Sequence, residues 1–409
     1  MHRFYIDEFN NKDISYLDLV EEVNKLNLCK YVYYKEPLMV FISIIKSLVY
    51  GKEIVLLDGD WSEQELQNRN INLNAIENQT YVIDNKIVNL EELYSNIEMN
   101  KDKFKINLFT SGTTSKPKKI KHGYSSAGRA IRKGDKYNND IWLFTYNPTH
   151  FAGLQVFLQA FINQNTIIIG NDMKKYNIDN LIEKHSVTKL SATPTFYRYM
   201  SFDTKKKHLK VNNITLGGEK SDNRLIEQLK IKFPNARVNN IYASTEAGNL
   251  FASKGENFLI SDNIKDLIRI ENNELLLHKD LIGEFDNTKL VGDWYSTGDI
   301  VEIVSGNEIK FTNRIGDFIN VGGYKANPIE IEEELMKIEN IIDAVVYPIP
   351  NSVLGNIIGA NILLKESEDG VEKRIINELK SKLQKWKIPR IIKIVDNIDK
   401  TNTGKKVRK

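Results

Sequence analysis

Segments with helical spacing alternate with short β-branched runs over most of this sequence, and this alternation limits the fold more than any other feature. Helical spacing of apolar residues is clearest at 37–50, 151–162, 178–184 and 222–232, and strand-like runs occur at 53–57, 141–145, 166–169, 189–192, 213–216 and 238–243. Such alternation favours parallel sheets covered by helices. Because ligands of these sheets bind at the carboxyl ends of the strands, we expect a large α/β domain with its site at that edge.

The pattern of helical and strand-like segments changes after Arg314. A Gly-rich stretch at 317–325 precedes an acidic helical pattern at 328–338, strand-like runs at 343–347 and 357–364, a helical pattern at 371–386 and a last strand at 391–395. These segments make a unit of ordinary domain size. We predict a large domain over residues 1–314, with a shortened N-terminal part, a small mobile α+β domain over 317–409, and a hinge near Gly316.

Charge and cysteine content exclude several classes of protein. Lys plus Arg total 57 against 54 for Asp plus Glu, so nucleic acid is not the expected partner. Cys29 is the single cysteine, which rules out an intrachain disulfide. The N-terminus carries acids where a secretory leader needs an apolar stretch. The apolar segment 38–50 contains Lys46 and is shorter than the ~20 residues of a membrane span. We expect a cytoplasmic protein without a membrane span.

The segment 107–118 carries the strongest local signal for chemistry. It reads Asn-Leu-Phe-Thr-Ser-Gly-Thr-Thr-Ser-Lys-Pro-Lys, an apolar strand end that runs into glycine and small hydroxyl residues. Backbone N–H groups of small residues can face an anion, hydroxyls add donors and a lysine adds positive charge. The spacing is not that of a Walker A loop. By pattern alone, a flexible surface loop and a phosphate site are equally good interpretations.

Four further motifs follow in order along the chain. They are Tyr242-Ala-Ser-Thr-Glu246, Tyr295-Ser-Thr-Gly-Asp299, the segment from Arg314 to Lys325, and Thr403-Gly-Lys405. Together with 107–118 they resemble the signature motifs of the adenylate-forming superfamily, which contains acyl-CoA synthetases, nonribosomal peptide adenylation domains and luciferases. The likeness extends from about residue 36 to 409. It implies that a carboxylic acid is activated by ATP as acyl-AMP, with release of pyrophosphate, and that the acyl group passes to a thiol.

The resemblance assigns roles to individual residues. Lys118 and the loop before it would hold the β- and γ-phosphates, Glu246 would hold Mg²⁺, and Thr245 would contact the α-phosphate. Lys405 would bridge the acid and the α-phosphate. The implied catalytic residues are Lys405, His150, Thr245 and Glu246, and the implied nucleotide contacts are Thr110, Ser111, Gly112, Thr113, Thr114, Lys118, Gly217, Gly218, Glu219, Tyr242, Ala243, Ser244, Asp299 and Arg314.

The adenosine half of ATP has its own implied contacts. The 217–219 turn would line the adenine, where glycines allow a close approach, and Tyr242 would lie along the ring. Asp299 would accept hydrogen bonds from the ribose hydroxyls, with Arg314 close by.

The segment 148–153 bears on the choice of acid. It lacks the aspartate that pairs with the substrate amine in amino-acid-activating domains, and it resembles the Pro-x-x-His-x-x-Gly stretch of acyl- and aryl-CoA ligases. His150 would close over the substrate carboxylate, and a structural loop histidine is the alternative. The candidate pocket walls, which predict a mostly apolar or aromatic acid, are Phe151, Thr195, Phe196, Tyr197 and the 216–219 turn.

Two questions stay open at this point. The thiol is either CoA or the phosphopantetheine of an acyl carrier protein, and an amine acceptor is a second enzymatic interpretation. Ser115 and Ala243 stand where the family usually has glycine, which favours a degenerate, non-enzymatic adenylate-binding module. The intact charged positions of the motifs argue against degeneration.

Gly316 generates a first prediction, since it stands where related enzymes often carry an acidic hinge residue. Glycine has wide backbone freedom, so we expect a hinge that still turns between the two half-reactions with less defined intermediate positions. Gly316→Pro fixes φ and is expected to impair at least one half-reaction. Single-turnover assays of acid activation and of acyl transfer check this, and normal rates for both would contradict it.

Overall fold

The computed structural model describes residues 2–408 except 68, 73–75, 77–78, 110–117, 201–205, 220, 222, 285–289, 316–317, 322–323, 352–353 and 400–405, and at 64, 313, 314, 320, 324, 325 and 355 it describes only the backbone. The helices of this part of the chain are α1 Tyr16–Lys25, α2 Pro37–Tyr50, α3 Glu63–Gln67, α4 Leu90–Asn100, α5 Tyr124–Ala127, α6 Phe151–Ile162, α7 Ile178–Lys184, α8 Pro194–Met200, α9 Asn223–Lys232, α10 Pro328–Met336 and α11 Val371–Lys380.

The strands fall into four sheets. In chain order they are β1 Arg3–Asp7, β2 Lys12–Ser15, β3 Tyr31–Tyr34, β4 Glu53–Asp58, β5 Lys105–Phe109, β6 Lys119–Gly123, β7 Ile141–Phe144, β8 Thr166–Ile169, β9 Lys189–Ala192, β10 Asn213–Gly217, β11 Arg237–Ser244, β12 Gly248–Ser253, β13 Asn257–Leu259, β14 Ile268–Glu271, β15 Glu274–His278, β16 Leu290–Val291, β17 Trp294–Ser305, β18 Glu308–Arg314, β19 Ile319–Val321, β20 Tyr324–Ala326, β21 Ile341–Asn351, β22 Gly355–Leu364 and β23 Ile391–Ile394.

Two largely parallel sheets form the body of the large domain. The eight-stranded sheet has the order β12-β11-β10-β9-β7-β8-β1-β2, with antiparallel strands only at its two edges. The four-stranded sheet has the order β3-β4-β5-β6, with β6 antiparallel. One apolar core joins both sheets through α2 and α6, where Phe41 stacks on Phe157 with ring centroids 4.4 Å apart. The predicted α/β architecture is confirmed.

The N-terminal residues contribute more than the sequence indicated. Residues 3–7 form β1, which pairs with β8 in the large sheet, and α1 begins at a capping box formed by Ser15 and Asp18. The alternation of helices and strands also ends earlier than predicted. After β12, the six-stranded sheet β13-β18-β17-β15-β14, with β16 beside β17, is antiparallel. Its hairpin at Asn272 and Asn273 has positive φ at both residues, as a tight hairpin turn requires.

The small unit is α+β, as predicted. Its sheet has the order β20-β19-β22-β21 with β23 beside β22, and its core includes α10 and α11. The helix expected at 371–386 ends at Lys380, where the backbone N–H groups of Ser381 and Lys382 donate to the carbonyls of Glu378 and Leu379, three residues back. Tyr199 of α8 packs against Val345 and Ile398 of this unit.

No helix of the described segments is long and apolar enough to cross a membrane.

Candidate active site

Polar residues gather at the carboxyl ends of the parallel strands, as this architecture predicts. Thr145, after β7, donates its hydroxyl hydrogen to the Ser191 carbonyl of β9 at 2.7 Å. Asn147 donates to Asp58 at the end of β4 at 2.9 Å, so the carboxyl ends of the two parallel sheets meet here. This edge is therefore the candidate active site.

Two motifs that are far apart in the sequence touch at the proposed adenosine position. The Tyr242 hydroxyl donates to Asp299 Oδ2 at 2.6 Å, and the Tyr242 ring stacks on Phe311 with centroids 4.1 Å apart. The register of β17 and β18 sets Asp299 opposite the backbone of Arg314. The structure thus brings Tyr242, Asp299 and the Arg314 backbone together.

The irregular part of β17 that carries Asp299 is held by an acid that the motifs did not reveal. Glu274 Oε1 accepts from the Gly298 backbone N–H at 2.8 Å and from the Ser296 hydroxyl at 2.6 Å. Gly298 has φ +78°, which favours glycine, and the Asp299 N–H bonds the Thr297 hydroxyl at 2.9 Å. Glu274 therefore fixes the backbone from which Asp299 projects.

The turn that carries Thr245 and Glu246 lies between β11 and β12. His122 Nε2 lies 2.8 Å from the Thr245 carbonyl oxygen and Nδ1 lies 3.2 Å from the Ser126 hydroxyl. The Glu246 carbonyl accepts from the Gly283 N–H at 2.7 Å. The Ser244 hydroxyl accepts from the Ala247 N–H at 3.1 Å. Burial lowers the pKa of His122, and the hydrogen bond to Thr245 offsets this only in part.

The chemistry of the Glu246 side chain fits a magnesium ion carried by a nucleotide. Mg²⁺ in such sites is held by one or two carboxylates together with substrate phosphates. In the described part of the chain, no group of three His, Cys, Asp or Glu residues could hold a metal ion by itself. Glu246 is partly exposed and forms no ion pair with a described residue, so its carboxylate is available.

Strand β6 connects the phosphate segment, 107–118, to the turn that carries Thr245 and Glu246. Phe109 pairs with Lys119, so the two ends of the predicted phosphate loop are adjacent, and Lys118 directly precedes β6. His122 lies further along β6, about 13 Å from Lys118 at 3.3 Å per residue. Lys121 bonds to Glu284 through the backbone in both directions. Residues Thr110, Ser111, Gly112, Thr113 and Thr114 lie outside the described residues, as do Gly316 and Lys405.

The predicted adenine turn is held against α8. Gly218 has φ +85°, and Glu219 Oε2 accepts from the Thr195 backbone N–H at 3.1 Å and from its hydroxyl at 2.5 Å. Tyr146, which the motifs did not single out, lies beside this turn. Burial raises the pKa of Tyr146, and the charge of Glu219 raises it further.

His150 lies at the N-terminus of α6, next to Asp58. Its Nε2 atom is 3.6 Å from Asp58 Oδ2, and its backbone N–H donates to the Asn147 carbonyl at 3.2 Å. Gly153 is required here, since a Cβ atom would lie only 2.2 Å from the Asn147 carbonyl oxygen. Close packing of α6 on this turn explains why a glycine follows His150 by three residues.

Two of the predicted pocket walls are core residues instead. Tyr197 is fully buried and donates to the Thr215 carbonyl at 3.1 Å. Phe151 is also buried, and its ring lies 5.1 Å from that of His122. Their aromatic rings suggested a pocket, but the helices that carry them turn them into the protein. Thr195 is buried against Glu219, and Phe196 is partly exposed.

Comparison with known proteins assigns the family. The model of the AMP-binding enzyme family matches residues 42–265, and that of the AMP-binding enzyme C-terminal domain matches 330–405. The chain therefore belongs to the AMP-binding enzyme family. The predictions of an adenylate-forming fold and of an AMP-forming ligase are confirmed.

Named relatives support the same assignment. The chain is 27% identical over 392 residues to 2-succinylbenzoate–CoA ligase of Staphylococcus aureus strain bovine RF122 / ET3-1, an alignment that covers 87% of this chain and 77% of the relative. It is similar in fold to o-succinylbenzoate CoA synthetase from Bacillus subtilis in complex with its acyl-adenylate intermediate, with a TM-score of 0.71 at 18% identity, covering 100% and 94% of the two chains. ATP-bound MatB from Rhodopseudomonas palustris gives a TM-score of 0.74 at 14% identity, covering 99% and 94%.

The contacts of Glu274 predict an effect on ATP binding. Glu274→Ala removes the two hydrogen bonds that its carboxylate accepts from Ser296 and Gly298 of β17, and such bonds are worth roughly 1.5–3 kcal/mol each. We expect the Kd for Mg·ATP to rise about tenfold or more, as measured by isothermal titration calorimetry. The matched control is Glu271→Ala on the neighbouring strand, where the acid is exposed and 3.8 Å from Arg269. Equal Kd values for the two variants would contradict the role of Glu274.

The lowered pKa of His122 predicts a pH dependence of stability. The unfolded chain takes up the proton first as pH falls below about 6.5, so the contribution of neutral His122 is present above that pH and is lost as pH falls through the folded-state pKa. The stability advantage of the native protein over His122→Gln should therefore be largest near pH 7.5 and shrink toward pH 5. Urea unfolding at several pH values measures this. An advantage that grows at low pH would show that His122 is charged in the fold.

Proposed function

We propose that the protein activates a carboxylic acid without an α-amine, apolar or aromatic in its main body, as acyl-AMP and then transfers the acyl group to CoA. The observation that carries the proposal is the convergence of the motif residues at one sheet edge. Tyr242 touches Asp299, the Thr245–Glu246 turn is fixed by β6, and His150 begins α6 at the same edge. In the proposal, Asp299 binds the ribose of ATP, Thr245 contacts the α-phosphate, and His150 closes over the carboxylate of the acid.

The first half-reaction joins two anions. A carboxylate oxygen of the acid attacks the α-phosphorus of ATP and forms a new O–P bond. The bond between the α-phosphorus and the oxygen that bridges to the β-phosphate breaks, and pyrophosphate is released. The site must neutralise and orient these groups. We assign Lys118 to the β- and γ-phosphates, Thr245 to the α-phosphate and Lys405 to the bridge between acid and phosphate. A magnesium ion on Glu246 and the phosphates would neutralise their oxygens.

The second half-reaction consumes the mixed anhydride. The thiol sulfur attacks the acyl carbon, AMP leaves with the electrons of the C–O bond, and the thiol proton passes to solvent. CoA is the favoured acceptor because the similar S. aureus enzyme is named as a CoA ligase. We further propose that the small domain, residues 317–409, turns about Gly316 between the two steps.

The acid pocket of the proposal is bounded by partly exposed aromatic and polar groups. Phe196 and the 216–219 turn border it, and Tyr146 lies behind the turn. The segment 148–153 contains no acidic side chain that could pair with an amine. 2-Succinylbenzoate is the first acid to test, since the similar S. aureus ligase is named for it.

Pyrophosphate release with Mg·ATP tests the proposal. The panel contains 2-succinylbenzoate, benzoates, short fatty acids, hydroxy acids and amino acids. We expect release with one class of acid without an α-amine, and a loss of about 100-fold or more in Lys405→Ala, since charge stabilisation of this kind has that magnitude. Lys365→Ala, an exposed lysine of the same domain, is the matched control. Adding CoA or a phosphopantetheinylated carrier protein then identifies the acceptor.

Two outcomes would contradict the proposal. Release with amino acids only would show that the pocket accepts an amine without an acidic partner. Measurable ATP binding without release across the whole panel would favour the non-enzymatic adenylate-binding module.

A further inference from the structure

A buried charge at the end of β4 plays no part in the mechanism described so far. The side chain of Asp58 is only 4% exposed. It accepts from Asn147 Nδ2 at 2.9 Å and from the Asp60 backbone N–H at 3.0 Å, and it lies 3.6 Å from His150 Nε2. A buried carboxylate without partners is strongly disfavoured, so these contacts explain how Asp58 is tolerated.

The surroundings keep Asp58 ionised at neutral pH. Burial alone would raise its pKa, but the interaction with His150 and the hydrogen bonds from the Asp60 N–H and Asn147 lower it below the usual value. The guanidinium of Arg69, which lies over the Trp61 ring, also interacts with this carboxylate. An anion therefore faces the imidazole of His150.

Asn147 donates to Oδ2 of Asp58 and the Asp60 N–H donates to Oδ1. An amide at position 58 could accept only one of these two hydrogen bonds, and it would supply no negative charge. His150 is the N-cap residue of a twelve-residue helix, whose N-terminal partial positive charge disfavours a protonated imidazole. The carboxylate of Asp58 opposes that effect.

We propose that Asp58 is a positioning residue that orients the His150 ring with its Nε2–H toward β4 and stabilises the imidazolium, so that Nδ1–H can donate to the carboxylate of the acid. This inference rests on the proposed function. The 3.6 Å separation is longer than a hydrogen bond but well within electrostatic range. Nδ1 of His150 forms no hydrogen bond with any residue that the structure describes. It is therefore the ring atom left for the substrate.

The ionisable groups around Asp58 and His150 come from three parts of the described chain. Asp58 comes from β4, Arg69 follows α3, and His122 of β6 contacts Phe151, the neighbour of His150. Asp60 is exposed and pairs with Lys35 at 3.2 Å, so it makes a suitable control. Asp60→Asn keeps the backbone N–H that Asp58 uses.

The test compares Asp58→Asn with Asp60→Asn by the ¹⁵N shifts of the His150 ring. The six histidines are labelled with ¹³C and ¹⁵N, and the His150 signal is assigned from its absence in His150→Gln. We expect the ring nitrogen shifts of His150 to change in Asp58→Asn, because the carboxylate 3.6 Å from Nε2 is lost, and to stay as in the native protein in Asp60→Asn. Unchanged shifts in Asp58→Asn would overturn the proposal.

Activity supplies an independent readout. Pyrophosphate release is compared between Asp58→Asn and the native protein. At pH 7.5 the rate should fall by up to about 100-fold, which a misplaced catalytic contact can cost. In a His150→Gln background, Asp58→Asn should cause little further loss. An equal loss in both backgrounds would show that Asp58 acts without His150.

A measurement on the native protein alone completes the test. If Asp58→Asn does not fold, the ¹⁵N shifts of native His150 still report its neutral tautomer. We expect the proton on Nε2, and a proton on Nδ1 would overturn the inference. Native protein that shows the expected tautomer, but releases no pyrophosphate with any acid, would uphold the Asp58–His150 pair and refute the proposed function.

Discussion

The site depends on the meeting of two parallel sheets at their carboxyl ends. The hydrogen bond from Asn147 to Asp58 joins the loop after β7 to the end of β4, and the contact between His122 and Thr245 joins β6 to the turn after β11. Buried polar groups need partners, so each contact fixes the relative position of the segments it links. The reaction brings two anions together, and its cationic and donor groups must be held in place before the substrates arrive.

Much of the fold was predictable from local sequence patterns. The bounds of α2, α6 and α7 agree with the apolar spacing of their sequences, because each of these helices turns a continuous apolar surface to the core. The short strand β1 was missed, since it pairs with the nearby β2 only at the edge of the sheet and joins the sheet through β8, which is distant in the sequence. The end of α11 was also missed, because the apolar pattern continues past Lys380, where the backbone hydrogen bonds change to a three-residue spacing.

Only some of the candidate site residues could be proposed from the sequence. Motif residues such as Tyr242 and Asp299 could be proposed from the sequence because their identities and order resemble those of a known superfamily. Glu274, His122 and Asp58 could not, since each stands out only through its contacts in the folded protein. Asp58 and Asn147 are 89 residues apart, and His122 and Thr245 are 123 apart. Aromatic character misled the prediction at Tyr197, whose ring fills the core.

The origin of the oxygen atoms in AMP tests the central claim most directly. An accepted acid is labelled with ¹⁸O in its carboxylate and turned over with unlabelled ATP and CoA in ordinary water. If the carboxylate attacks the α-phosphorus and the thiol then displaces AMP, the AMP carries one ¹⁸O atom from the acid, as mass spectrometry can show. AMP without the label, or ADP together with labelled inorganic phosphate, would contradict acyl-adenylate formation by this protein.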